Sequence, residues 1–204
     1  MRETACRETM PRITTIMSIH FPKHLYARMV EYIGYDAVVV GNHDIETGHK
    51  VYDRLVKTMN VPLLAANAIR TDNGKAYFQE YVTLKRHGLN ITIIGFTNPN
   101  IKGWLSPGLW EGMTFESLLP FAQETVDRIK AKEKSDVVIV AVHAGTGKGD
   151  GTVLESQGLD LFKSLRGVDF VVCAHDHSPV VHKNDSICLI NAGSHCRSLG
   201  YGTV

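Results

Sequence analysis

An α/β fold with mixed sheets is predicted for this chain from three observations. Short continuous apolar runs recur along it: DAVVV at 36–40, VVIVAV at 137–142 and FVVC at 170–173. Such runs suit strands buried on both faces. Segments of helical period lie between them, and one alternating segment is divided by a tight turn. Helices alternating with strands, with a hairpin interposed, describe one α/β domain rather than a bundle or a sandwich of sheets alone.

The elements follow in order. Residues 1–22, interrupted by Pro11 and Pro22, show neither period and read as an irregular segment. KHLYARMVEYIGY sets Leu25, Met29 and Ile33 on one side, which predicts a helix closed near Gly34. DAVVV is a buried strand running into Gly41-Asn42-His43-Asp44. A second helix follows Thr47, and VPLLAAN returns as a strand ending at Asn67. AYFQEYVTLKRHGLNITIIGFT alternates about an HGLN turn and predicts a hairpin. Residues 97–112, with Pro99, Trp104, Pro107 and Trp110, read as a surface loop. A long helix is expected over 114–132, started or kinked by Pro120. SDVVIVAV is a strand ending at His143, followed by the glycine-rich loop GTGKGDG. GLDLFKSLRG is a helix, FVVC a strand ending at His175 and His177, and VVHK and ICLINAG are closing strands.

Composition narrows the function. The 204 residues carry 22 Lys and Arg against 21 Asp and Glu, a formal net charge of +1. That balance gives no argument for the basic stripe of a nucleic-acid binder or the basic patch of an anionic-membrane binder. No run of about 18 apolar residues offers a membrane span, and the first residues lack the apolar stretch of a signal peptide. A cytoplasmic location is the expectation. Cys6, Cys173, Cys188 and Cys196 form no C-x-x-C pair and read as buried or half-buried free thiols.

The chemistry sits at strand ends. Three buried strands end in ligand-capable groups: Asn42-His43-Asp44, His143, and the pair His175 and His177. In open α/β sheets, ligands bind beyond the carboxyl ends of strands, so these groups are expected around one crevice. Imidazole suits Zn, Fe or Mn, and an amide oxygen suits harder cations. At strand spacing His175 and His177 point the same way and Asp176 points elsewhere.

Taken together, GNHD behind the first run, His143-Ala144-Gly145 behind the second and Ala174-His175-Asp176-His177 behind the third resemble the calcineurin-like metallophosphoesterases. GYDAVVVGNHDIETG, LLAAN and NAGSHCRSLG are similar to their 5′-nucleotidase and 2′,3′-cyclic-nucleotide phosphodiesterase branch. The resemblance covers about residues 23–204 and implies a partial metallophosphoesterase domain. The implied fold is a four-layer αββα sandwich with mixed sheets, its N-terminal strand or strands missing. The implied activity is hydrolysis of phosphate esters, nucleotides among them, with a small-molecule substrate and neither nucleic-acid polymer nor membrane as partner. The implied cofactors are two divalent cations (Mn, Zn, Fe, Mg or Ca). By the same resemblance Asn42, His143 and His175 hold one cation and His177 the other. His43 stabilises or protonates the leaving oxygen, Asp44 orients His43, and Asn67, Asn191 and Ser194 line the substrate side.

The sequence departs from the family pattern in one respect. No Asp-x-His and no Gly-Asp precede Asn42, so the two carboxylates expected to offset the cations' charge are lacking. The chain therefore reads as truncated at both ends, and the alternative to an enzyme is an inactive fragment that binds one cation weakly or none.

Overall fold

The computed structural model describes residues 23–203. The irregular segment expected at 1–22 lies outside them. The first helix, α1 (Leu25–Ile33), ends where Gly34 takes a left-handed φ of 82° and returns its N–H to Val30 and Glu31. Its buried face is Ala27 and Val30, whereas Met29 and Ile33 are exposed. The expected Leu25–Met29–Ile33 line fails because each four-residue step overshoots a helical turn by about 40°, which winds that line away from the core.

Two short parallel strands, β1 (Val38–Val39) and β2 (Leu63–Leu64), pair Val38 with Leu63 and Val39 with Leu64. Between them run α2 (Asn42–Glu46) and α3 (His49–Thr58). β3 (Ala68–Arg70) then pairs antiparallel with β6 (Met113–Phe115), two strands that sequence periodicity does not reveal at three residues each. The predicted hairpin is β4 (Tyr81–Arg86) and β5 (Leu89–Phe96). Its two-residue turn, His87-Gly88, has φ of 49° and 85°, the positive values that suit the right-handed twist of the flanking strands.

The 97–112 stretch is more ordered than a surface loop. Residues 97–99 are buried, and α4 (Ile101–Trp104) and a 3-10 turn (Pro107–Leu109) follow. The long helix α5 (Leu118–Glu133) has Pro120 in its first turn, where the absent N–H costs no helical bond. β7 (Val137–Val142), α6 (Gly158–Ser164), β8 (Phe170–Cys173), β9 (Pro179–Lys183) and β10 (Cys188–Ala192) complete the chain.

The large sheet has the order β4-β5-β7-β8-β10-β9. Its inner strands β5, β7, β8 and β10 are parallel and its two edges antiparallel. Alternation along β7 shows the layers. Val138, Val140 and Val142 pack with Leu118, Ala122, Val126 and Ile129 of α5 and Leu161 of α6. Ile139 and Ala141 face the other way, onto Val39 and Leu64 of the small sheet. Behind the small sheet, Ala27, Val30, Tyr52 and Leu55 of α1 and α3 form a further core. Helices, small sheet, large sheet and helices thus stack as αββα. The two sheets meet closely: a Cβ on Gly95 of β5 would collide with the Cβ of Leu64. Among the described residues, no helix is long and apolar enough to cross a membrane.

Candidate metal centre

The parallel strands of both sheets release their chains at one rim. β1 delivers Gly41 and Asn42, β7 delivers His143, β8 delivers His175 and His177, and β10 delivers Asn191 to His195. His143 is 6% exposed, and its Nε2 lies 2.9 Å from Asn42 Oδ1, a contact that joins the two sheets. A Cβ on Gly41 would lie 2.9 Å from the His143 ring, so a larger residue there would push the ring aside. The His175 ring meets His143 edge-on at 5.3 Å between centroids and stacks on Trp104 at 5.0 Å and 21°.

Burial pushes the His143 imidazole down to about 3, and the charges of His175, His43 and His177 push the same way. The ring is therefore neutral, the form in which imidazole serves as a ligand. Two cis donors on one cation at about 2.1 Å sit roughly 3 Å apart, and Asn42 Oδ1 and His143 Nε2 have that spacing. The His175 ring lies against the same His143 ring. None of the three is a carboxylate, and among the described residues no three His, Cys, Asp or Glu side chains converge in a ligand cluster.

His43 lies on the exposed side of α2, where its Nδ1 is 2.7 Å from Glu46 Oε2. This corrects the expectation that Asp44 orients His43. Asp44 is 5% exposed, and its Oδ2 accepts the Gly41 N–H at 2.8 Å, capping α2. Neighbours in a helix point about 100° apart, whereas residues three apart share a face, which selects Glu46. The i,i+3 spacing was the signal available in the sequence.

His175 and His177 also differ from expectation. Both lie past the end of β8 with left-handed φ of 90° and 58°, so strand alternation does not orient them. Asp176 holds the turn instead: its Oδ2 accepts Thr146 N–H at 2.7 Å and its Oδ1 accepts Asn191 Nδ2 at 2.6 Å. Beneath it lies Cys173, its thiol pushed up to about 12 by burial.

The residues expected on the substrate side have other engagements. Asn67 is fully buried, donates to Thr97 O and Glu116 O, and accepts from Thr97 N. Asn191 is 2% exposed, donates to Asp176 and Thr146, and accepts Gly193 N–H. Asn67 clamps backbone, whereas Asn191 ties the Asp176 and Thr146 side chains together and holds the Gly193 backbone, so both side-chain NH₂ groups are engaged within the fold. Ser194 Oγ lies 2.6 Å from His195 Nδ1, and the His195 ring stands edge-on to His177 at 5.7 Å. Glu46, Trp104 and His195 are the cleft residues that sequence reasoning passed over. Of the thiols, Cys196 is exposed rather than buried.

Comparison with known proteins identifies the family and the fold. The family model described as calcineurin-like phosphoesterase matches residues 20–179. A 5′-nucleotidase of Vibrio cholerae is 26% identical over 170 residues, covering 81% of this chain and 31% of its own length. The trifunctional nucleotide phosphoesterase YfkN of Bacillus subtilis is 26% identical over 164 residues, 76% of this chain and 11% of its own. The solved structure of YfkN superposes with a TM-score of 0.74 at 22% identity, over 84% of this chain and 58% of that one. A 5′-nucleotidase precursor of Thermus thermophilus superposes at 0.65 with 22% identity, over 82% and 34%. The chain thus spans about a third or less of these curated relatives.

Proposed function

The chain belongs to the calcineurin-like phosphoesterase family, and from that premise we propose that its cleft hydrolyses phosphate esters of the nucleotide class with the help of divalent cations. The observation that carries the reading is the meeting of Asn42, His143 and His175 at one rim, with His43 held beside them by Glu46. Asn42, His143 and His175 would hold one cation, and His177 stands toward a second position. Such cations polarise a phosphoryl oxygen and lower the pKa of water. The chain's own groups do the rest. His43, its Nδ1 engaged by Glu46, has Nε2 left to give a proton to the leaving oxygen. The Glu46 carboxylate stabilises the charge that His43 carries before the transfer. The Trp104 face fixes the plane of His175. Nucleotides are the favoured esters because the named activities of the relatives are nucleotidase and nucleotide phosphoesterase.

A second reading rests on a separate observation. The donor set contains amide and imidazole groups but no carboxylate, so two dications would place four positive charges on neutral ligands. On that reading the chain binds one cation weakly and does not turn over substrate. Phosphate release from a nucleoside 5′-monophosphate, with Mn²⁺ added, separates the two. Metal-dependent release that falls about 10²–10⁴-fold in His43→Ala supports the enzyme. A folded chain with no release above that variant supports the second reading.

A further inference from the structure

His195 belongs to a segment for which the family resemblance supplies no cation ligand, yet its setting is that of one. We propose that His177 and His195 form a two-imidazole site for a divalent cation of the borderline class, Zn²⁺ being the probe of choice, and that this pair is the second cation position of the cleft. The inference rests on the reading of the cleft as a metal centre.

Three observations carry it. The first is spacing. An imidazole nitrogen ligates at about 2.0–2.1 Å, which puts the ring centroid roughly 3.2 Å from the ion. Two such rings at inter-ligand angles of about 90–120° then lie roughly 4.5–5.5 Å apart. His143 and His175 are 5.3 Å apart at 72°. His177 and His195 are 5.7 Å apart at 86°, a few tenths of an ångström from that range. The cleft thus holds two crossed imidazole pairs of nearly equal geometry.

The second observation is orientation. A metal-binding histidine characteristically has its other ring nitrogen fixed by a hydrogen bond. Ser194 Oγ engages His195 Nδ1 at 2.6 Å, which sets the ring and leaves Nε2 as the coordinating atom. His195 and His177 are both exposed, so a cation has access to the pair from solvent.

The third is the way the fold builds the pair. Six described residues other than glycine have positive φ. His87 serves the hairpin turn and Lys134 caps α5. The other four are His175, His177, His195 and Cys196. The two loops that carry them are tied by the Asn191–Asp176 hydrogen bond of 2.6 Å. Gly193, at φ 75°, lets the backbone pass beside the His177 carbonyl and Pro179; a Cβ there would lie 3.3–3.4 Å from both. Left-handed backbone at non-glycine residues persists where the surroundings over-determine it, and here it turns two imidazoles toward each other.

Zn²⁺ titration calorimetry on the full, metal-stripped chain tests the pair. His195→Asn removes the ring while tolerating the left-handed backbone, and His195→Gly serves as a second variant that has no donor at all. Circular dichroism confirms that each is folded. The expected result is two Zn²⁺ per wild-type chain. One event weakens at least about tenfold in both His195 variants, while the other persists and is lost instead in His143→Asn. Two unaltered events in the His195 variants would overturn the proposal. A single event, lost in His143→Asn and indifferent to His195, would overturn the pair and leave the phosphoesterase reading standing. No binding by wild type would overturn both.

Discussion

At the scale of the residue, the cleft depends on side chains that hold other side chains. His43 has Glu46 as its carboxylate, while Asp44 closes the helix cap. Glu46→Gln is therefore expected to lower phosphate release by about 10²-fold, the lower end of what general acid–base catalysis contributes. Asp44→Asn is expected to cost stability instead, about 1 kcal/mol, as the loss of a cap does. Kinetics and thermal melts of the two variants check the assignment, and the reverse pattern would return the orienting role to Asp44. Asn67 makes a second case. Asn67→Ala takes its partner from the buried Thr97 N–H and Thr97 carbonyl and from the half-buried Glu116 carbonyl, so urea unfolding should show a loss of roughly 2–4 kcal/mol. The meeting of Asn42, His143 and His175 at one rim was legible in the sequence, because a motif marks each strand end. Glu46, Trp104 and His195 were not. Their roles arise from a helix face, a stacked ring and a left-handed turn, none of which a strand-end pattern encodes.

At the scale of the element, the apolar runs became strands because each is buried on two faces. β7 divides its valines and its Ile139 and Ala141 between α5 and the small sheet. Elements with a clear period or a turn signal were readable: the β4–β5 hairpin, α3, α5 and β7. Short ones were not, since β3 and β6 have three residues each, too few to show a period. The closeness of the sheets also escapes sequence reading, because it appears only as a glycine in the middle of a strand. Gly95→Ala sets a methyl group against Leu64. Overpacking of this kind costs typically about 1–3 kcal/mol. Because β5 touches the small sheet and pairs with β7, the strand that delivers His143, the shift should also disturb the cleft. Reduced stability with wild-type metal affinity would show that the sheets adjust independently of the rim.

At the scale of the whole molecule, the four layers place one set of strand ends on one rim, and the chemistry-bearing residues come from three of the inner strands and from β1. The formal charge of +1 supplies no field to draw in an anion, and on the proposed reading bound cations would do so. A ligand present at a hundredfold excess over its Kd stabilises the folded state by about 2.7 kcal/mol. For a chain of this size that is roughly 5–10 °C in Tm. Saturating Mn²⁺ is expected to produce such a shift, and His143→Ala to abolish it, in differential scanning fluorimetry.

The most direct test is a titration of the metal-stripped chain with Mn²⁺ while phosphate-ester cleavage is followed with p-nitrophenyl phosphate, in wild type beside His143→Ala. A rate that rises from zero, saturates with Mn²⁺ and vanishes in the variant is the predicted result. A rate indifferent to Mn²⁺, or equal in the two folded proteins, would contradict the assignment of this rim as the metal centre of a phosphoesterase.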